Sequence, residues 1–535
     1  DGYFYFTDTT PRAANAMSGY RDRALSPEIS VAGGLYTSGE VLSVELSAPD
    51  GGRIYYTLDC SDPDENSILY TGPITISSTT ILRAVSVKDG SLTSLPATAS
   101  YLYDLHHTLQ IVSLVTDPDN LFSDEKGIYT MGPNATSTYP YGSLGQGANF
   151  WMDWERDAHV EIFALDGSTV ISQGCGIKLH GQYSRAEEQK AFKVIARSQY
   201  GDNRFRASLF PNRDYTEYQS FLLRASGQDT AQTFMRDSII TSFAADLDEG
   251  HVMYQDTALC VVYLNGEYWG CYNMRERVDR FFVAQHEGLS LDEADQMTIL
   301  EANSTEVYGS NDEYLEMRNK IKESDPANNP EDLQYILDNV DVDNYFEYLA
   351  FEMFFGNSDP GNIRFDKLNQ EGAKWKWIFY DADYGMFKST FNSPRSYTKE
   401  SGMGDKNINN VIFLKLLSVP EYKDKFLLKL ADIYKTFSTE YMLSILEPMV
   451  DQLEPEMPLH FARWAEETDP AIIAEVPNTP DAALRYWEGR IDRLHNTCTW
   501  RPHYLWGYIK DAFELTDQQM IDYFGEQPPL EPDAE

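Results

Sequence analysis

Four side chains in the second half of this chain have the types and spacing for phosphoryl transfer. Asp359 and Asn362 lie in Asn357-Ser-Asp-Pro-Gly-Asn362, and Asp381-Ala-Asp383 begins 19 residues after Asn362. One carboxylate, Asp359, suits the role of taking the proton from an acceptor hydroxyl. The Asn362 amide and the carboxylates of Asp381 and Asp383 offer oxygens of the kind that hold a hard divalent cation. An extended backbone would put Asp381 and Asp383 on one side. No basic residue between positions 379 and 386 neutralises them, so a cation is expected there. Such donors favour Mg²⁺, Mn²⁺ or Ca²⁺ over Zn²⁺. The competing reading is structural, because Asp-Pro-Gly-Asn is also an ordinary type I or II turn.

Several elements must position these residues. Residues 343–355 are apolar on most faces and predict a buried helix, capped by Asp341 or Asp343, that delivers the chain to Asn357. Residues 363–367 and 375–380 predict a hairpin that returns to Asp381. Upstream, Lys190 borders an alternating strand with Phe192, Val194 and Ala196 on one face and Lys193 and Ile195 on the other. A Lys projecting from such a strand into a cleft can pair nucleotide phosphates; otherwise Lys190 and Lys193 are solvent-side lysines. Asn265-Gly266 is a type I′ hairpin signal, and the strand after it ends in Arg275-Glu276-Arg277. Glu276 is placed either to fix the phosphate-binding Lys or to pair with Arg275 or Arg277.

Composition narrows the partners. The 535 residues are 42% hydrophobic and 13% aromatic, enough for a core, and carry a net charge of −41. Such a surface repels nucleic acid and anionic membranes and attracts cations and basic polypeptides. No apolar run approaches the ~18 residues of a membrane span. The first residue is Asp1 and no signal segment follows it, as expected of a mature or trimmed form. The five cysteines include no C-x-x-C pair, which excludes a zinc ribbon or thioredoxin motif. Cys260 and Cys271 flank the predicted hairpin, and a disulfide across it is one option. Walker A, nucleophile-elbow and H-E-x-x-H motifs are absent.

The chain divides by pattern. Residues 1–25 read as a linker or the tail of an upstream domain. Residues 26–104 alternate short strands with Gly and Pro turns and predict a small Ig-like sandwich. Residues 105–525 are strand-rich to about 270 and helical afterwards, with separate helices at 483–495 and 501–512. Residues 526–535 form an acidic tail. The fold class is α+β, in two lobes behind an all-β module.

Two stretches carry family resemblances. Ile54-Tyr-Tyr-Thr-Leu-Asp-Cys-Ser-Asp-Pro63 with Leu69-Tyr-Thr-Gly-Pro73 resembles the small sandwich at the C-terminus of chitobiase-type enzymes, with Cys60 where their usual pattern has Gly. Over residues 105–390, Gly127-Ile-Tyr129, Trp154-Glu-Arg156, His180-Gly181 through Ser184-Arg185 to Lys190, Phe221-Leu-Leu-Arg224, Arg236-Asp237, Gly270 to Glu276, Asn357 to Asn362 and Tyr380-Asp-Ala-Asp383 run in the order of the spore-coat kinase (CotH) family of atypical secreted protein kinases. The helical remainder to about 525 resembles it as well. The resemblance implies a kinase-like fold with a strand-rich N-lobe and a helical C-lobe. It implies ATP- and metal-dependent phosphorylation of Ser or Thr on secreted or surface proteins. It further implies Asp359 as the catalytic Asp, Asn362 and Asp381 as metal ligands with Asp383 a second candidate, and Lys190 with Glu276 as the nucleotide-binding pair. Under it Lys193 and Arg185 are expected as further nucleotide contacts, and Gly142-Ser-Leu-Gly-Gln-Gly147 is a candidate phosphate loop. Only two residues separate Asp359 from Asn362, fewer than in ordinary kinases. That departure favours the alternative of a degenerate surface-binding scaffold whose sandwich binds a glycan or protein; a third reading is a calcium-stabilised structural protein with Asp381 and Asp383 as ligands.

Overall fold

A computed structural model describes residues 5, 19–136, 147–230, 232–245, 247, 250–359, 361–399, 410–467 and 477–530. Seven strands close into a barrel in the order Gln110–Val115, Arg156–Phe163, Thr169–His180, Ala191–Ile195, Ser220–Arg224, Glu267–Glu276 and Thr257–Leu264. Neighbours are antiparallel except at the closure, where 110–115 and 257–264 run parallel. Alternate residues of these strands, among them Val112, Val160, Ile177, Phe192, Val194, Phe221, Leu223, Val262 and Met274, form one buried cluster. Closure leaves the barrel itself without a free edge.

The hairpin at its heart is as predicted, with Asn265 and Gly266 both at positive φ (54° and 81°). The disulfide option across it is ruled out by register. Val261 lies opposite Cys271 and Cys260 opposite Tyr272. The one-residue offset sends the two sulfurs into different cores, Cys260 into the barrel and Cys271 outside it. All five cysteines are free and buried.

The all-β module packs on the outside of the barrel. Its main sheet runs Gly34–Tyr36, Ala97–Tyr103, Thr80–Val87, Arg53–Thr57, Ile68–Leu69. Cys60 adopts φ 67°, the conformation that Gly takes at least cost. Cys60, Ile81 and Leu102 share one buried cluster with Ile111, Phe163 and Val261 of the barrel. Glu161, buried on a barrel strand, accepts a hydrogen bond from Ser100 N (2.7 Å). Module and barrel therefore share a desolvated interface.

A second sheet, only half anticipated, lies beyond the barrel. Its order is Met253–Tyr254, Lys376–Phe379, Arg364–Leu368, Met297–Glu301, Thr305–Tyr308. The expected hairpin is present, with Arg364 opposite Ile378. Helix Val342–Phe355 is buried along its length, and Asp341 caps it by accepting from Asn344 N (3.1 Å). The predicted helices at 483–495 and 501–512 are one, Pro480–Phe513. Pro502 cannot donate to Cys498 O four residues back; Thr439 Oγ1 does so instead (3.3 Å), which lets the helix run on. Among the described residues no helix is long and apolar enough to cross a membrane.

Candidate active site

Barrel, second sheet and the chain after helix 342–355 enclose a cleft of about 700 Å³, within the usual range of ligand pockets. Lys178, Lys193, Arg185, Arg224, Arg277 and Arg364 line it, with Asp153, Glu301, Asp359, Asp381 and Asp383. In a chain of net charge −41, a pocket with six cations against five carboxylates stands out from the acidic surface.

One wall is built by the end of helix 342–355. Gly356 closes the helix at φ 63°. Asp359 N donates to Asn357 Oδ1 (3.1 Å) and Gly361 N to Asp359 Oδ1 (3.4 Å). Ser358 N donates to Tyr384 O (3.3 Å), joining this loop to the segment that bears the two other Asp. Pro360 lies outside the described residues, as do residues 142–146 of the candidate phosphate loop. Arg501, fully buried, fastens the helix end from behind. Its Nε donates to Phe354 O (2.7 Å) and its Nη2 to Met353 O (2.8 Å) and Ser393 Oγ (2.6 Å).

Asp381 and Asp383 do share a side, but through a turn rather than a strand. The strand ends at Phe379 and Asp381 has φ 55°. The expectation that no side chain neutralises them is corrected by Arg224, which arrives from the distant strand 220–224. Its Nη2 pairs with Asp381 Oδ1 and with Asp383 Oδ2 (3.0 Å), and its Nη1 with Asp237 Oδ2 (2.8 Å). Asp237 also receives Arg275 Nη1 (2.7 Å) and Ala382 N (2.7 Å). Burial would raise the Asp237 carboxyl; Arg275 and Arg224 overcome it and hold the group below the usual range. Burial and the charge of Asp381 push Asp383 well above it. Among the described residues no three His, Cys, Asp or Glu side chains form a ready-made metal site. The donor set still fits a hard cation, since two carboxylates already converge on a cationic group in the cleft that Asn362 and Asp359 also line.

The Lys190–Glu276 pair is not formed. Lys190 is 4% exposed. Its Nζ donates to Arg185 O (2.8 Å) and Glu187 O (2.7 Å), between the rings of Tyr129 and Phe150. It shares the strand face of Phe192 and Val194, which is the barrel interior. Glu276 is engaged elsewhere, by Arg213 Nη2 (2.6 Å), Asp256 N (2.9 Å) and Tyr215 Oη, so neither predicted partner holds it. Lys193, on the opposite face, lines the cleft. Among the described residues its ammonium has no ion-pair partner, and burial, reinforced by Arg277, lowers it to about 7. Arg185 also reaches the cleft, its Nε donating to Gly181 O (2.7 Å). Burial keeps His180 well below its ordinary range, and Arg224, Arg277, Arg364 and Arg185 add to the effect.

Comparison with known families follows this geometry. The family described as CotH kinase protein matches residues 177–505, which include every residue lining the cleft except Asp153. The chitobiase/beta-hexosaminidase C-terminal domain matches residues 31–99, within the all-β module. No curated protein matches the chain.

Proposed function

The chain belongs to the CotH kinase protein family, and we propose that it transfers the terminal phosphoryl group of ATP to Ser or Thr hydroxyls of proteins. One observation carries this reading. Lys193, whose ammonium has no ion-pair partner among the described residues, stands with five further cations in a cleft that Asp359, Asn362 and Asp381 also line.

In this reading Lys193 and Arg185 hold the phosphates. Asp359 orients the acceptor hydroxyl and takes its proton as the new O–P bond forms and the bond to the leaving ADP breaks. Asn362 and Asp381 would hold Mg²⁺ or Mn²⁺, with Asp383 in support; such a cation neutralises phosphate charge in the transition state. Lys190 anchors the segment that carries Arg185. The proposal includes an extracellular or surface setting, as the family resemblance implies, and basic protein substrates, favoured by 84 acidic against 43 basic residues.

A binding scaffold without catalysis is the second reading, favoured by Arg224 among the carboxylates and the unformed Lys190–Glu276 pair. Labelled ATP separates the two. Wild type should transfer label to a basic protein, and Asp359→Ala and Asp381→Ala should each lose at least ~100-fold while keeping their unfolding transition. Equal labelling by all three proteins would remove the kinase assignment of these residues.

A further inference from the structure

We propose that Arg224 is a resident cation that an incoming divalent metal must displace, so that metal enters this site only together with nucleotide. The inference rests on the kinase reading above. Arg224 Nη2 lies between Asp381 Oδ1 and Asp383 Oδ2, one oxygen of each carboxylate that would hold a metal. Arg224 brings one positive charge to two carboxylates; a divalent cation brings two. Both together on the same oxygens would repel at short range, so the exchange is competitive.

The surroundings permit the exchange. Arg224 is itself part of the cleft lining, on the same cavity as Lys193 and Arg185. Its guanidinium can therefore leave the carboxylates for phosphate oxygens, a bidentate partner it suits well, without leaving the cleft. Its third contact is not orphaned by the move, because Asp237 keeps Arg275 Nη1 (2.7 Å) and Ala382 N (2.7 Å). Metal alone offers the displaced guanidinium no new anion; metal with a nucleotide does. Arg224 thus acts as a positioning residue that couples the two ligands.

The test is thermal unfolding with Mn²⁺ or Mg²⁺ in the absence of nucleotide. Wild type should shift by ~1 °C or less, and Arg224→Met should rise by several degrees, its carboxylates now open to metal. Arg224→Lys, a cation without the fork, should fall between them. As a check that does not depend on a variant folding, Mn²⁺ binding to wild type followed by magnetic resonance should need added ADP. Tight Mn²⁺ binding to wild type without nucleotide would overturn the inference. So would an Arg224→Met protein indifferent to metal alone while wild type is stabilised by metal with ATP, and in that case the kinase reading stands. No stabilisation of wild type by metal and ATP together would remove both.

Discussion

Lys190 and Lys193 are three residues apart and do different work. Lys193→Met should weaken ATP binding ~10-fold or more with little change in unfolding temperature, because it removes a half-buried cleft charge that holds no ion pair among the described residues. Lys190→Met should do the reverse. It strips donors from Arg185 O and Glu187 O and should cost roughly 2 kcal/mol of stability. ATP titration and thermal unfolding of both variants check the pair, and the opposite assignment would show as a reversed pattern. The Lys193 ammonium, lowered to about 7, also sets a pH dependence. It is charged below pH 7 and neutral above, so ATP affinity should fall as pH rises from about 6 to 8.5, and Lys193→Met should lack that slope. The division was legible in strand parity: Lys190 shares the face of Phe192 and Val194, Lys193 does not. Family likeness pointed to Lys190 first, with Lys193 as a further contact; of the two it is Lys193 that lines the cleft. Arg224 stood out only as part of the Phe221-Leu-Leu-Arg224 piece, and nothing near it in sequence announced its pairing with Asp381 and Asp383, which lie more than 150 positions away and meet it only in the fold.

At the scale of elements, helix Val342–Phe355 and helix Pro480–Phe513 are tied by Arg501. This guanidinium is fully buried with backbone carbonyls and Ser393 Oγ as partners, and burial lowers it to about 10. Arg501→Met should leave Phe354 O and Met353 O without donors and cost about 4 kcal/mol. Denaturant unfolding would measure it, and a loss below ~1 kcal/mol would contradict the anchoring role. Transfer should fall as well, because the loop to Asp359 starts at the same helix end. Helix 342–355 was readable from its apolar run and its Asp cap. The continuity through Pro502 was not, because the donor that replaces its missing N–H, Thr439, sits on another helix. Strand Thr305–Tyr308 went unread for the converse reason: it is largely exposed, so burial left no alternation in it.

The whole molecule sets an acidic surface around a cationic cleft. Its sandwich, barrel and helical half share one buried cluster, so the module is a part of the folded unit rather than a tethered bead. Under the kinase reading, that arrangement would suit two substrates of opposite charge, a polyanion inside and a basic protein outside. Phosphorylation of a basic protein should therefore slow severalfold between about 50 and 500 mM salt, where screening lengths shrink from ~14 to ~4 Å, while a neutral peptide substrate is little affected. A salt-insensitive rate on the basic protein would contradict this. The order of modules and the α+β class were legible because they rest on long patterns of strand and helix. The charge contrast was not, since the six cleft cations are spread from Lys178 to Arg364 and converge only in the fold. The most direct test of the central claim is thermal unfolding with Mg²⁺ or Mn²⁺, with and without ATP, on wild type and Asp381→Ala. The account predicts stabilisation of wild type by the combination, about 2.7 kcal/mol at a hundredfold excess over Kd, and none for the variant. No response of wild type at millimolar ATP, or the same response in both proteins, would contradict it.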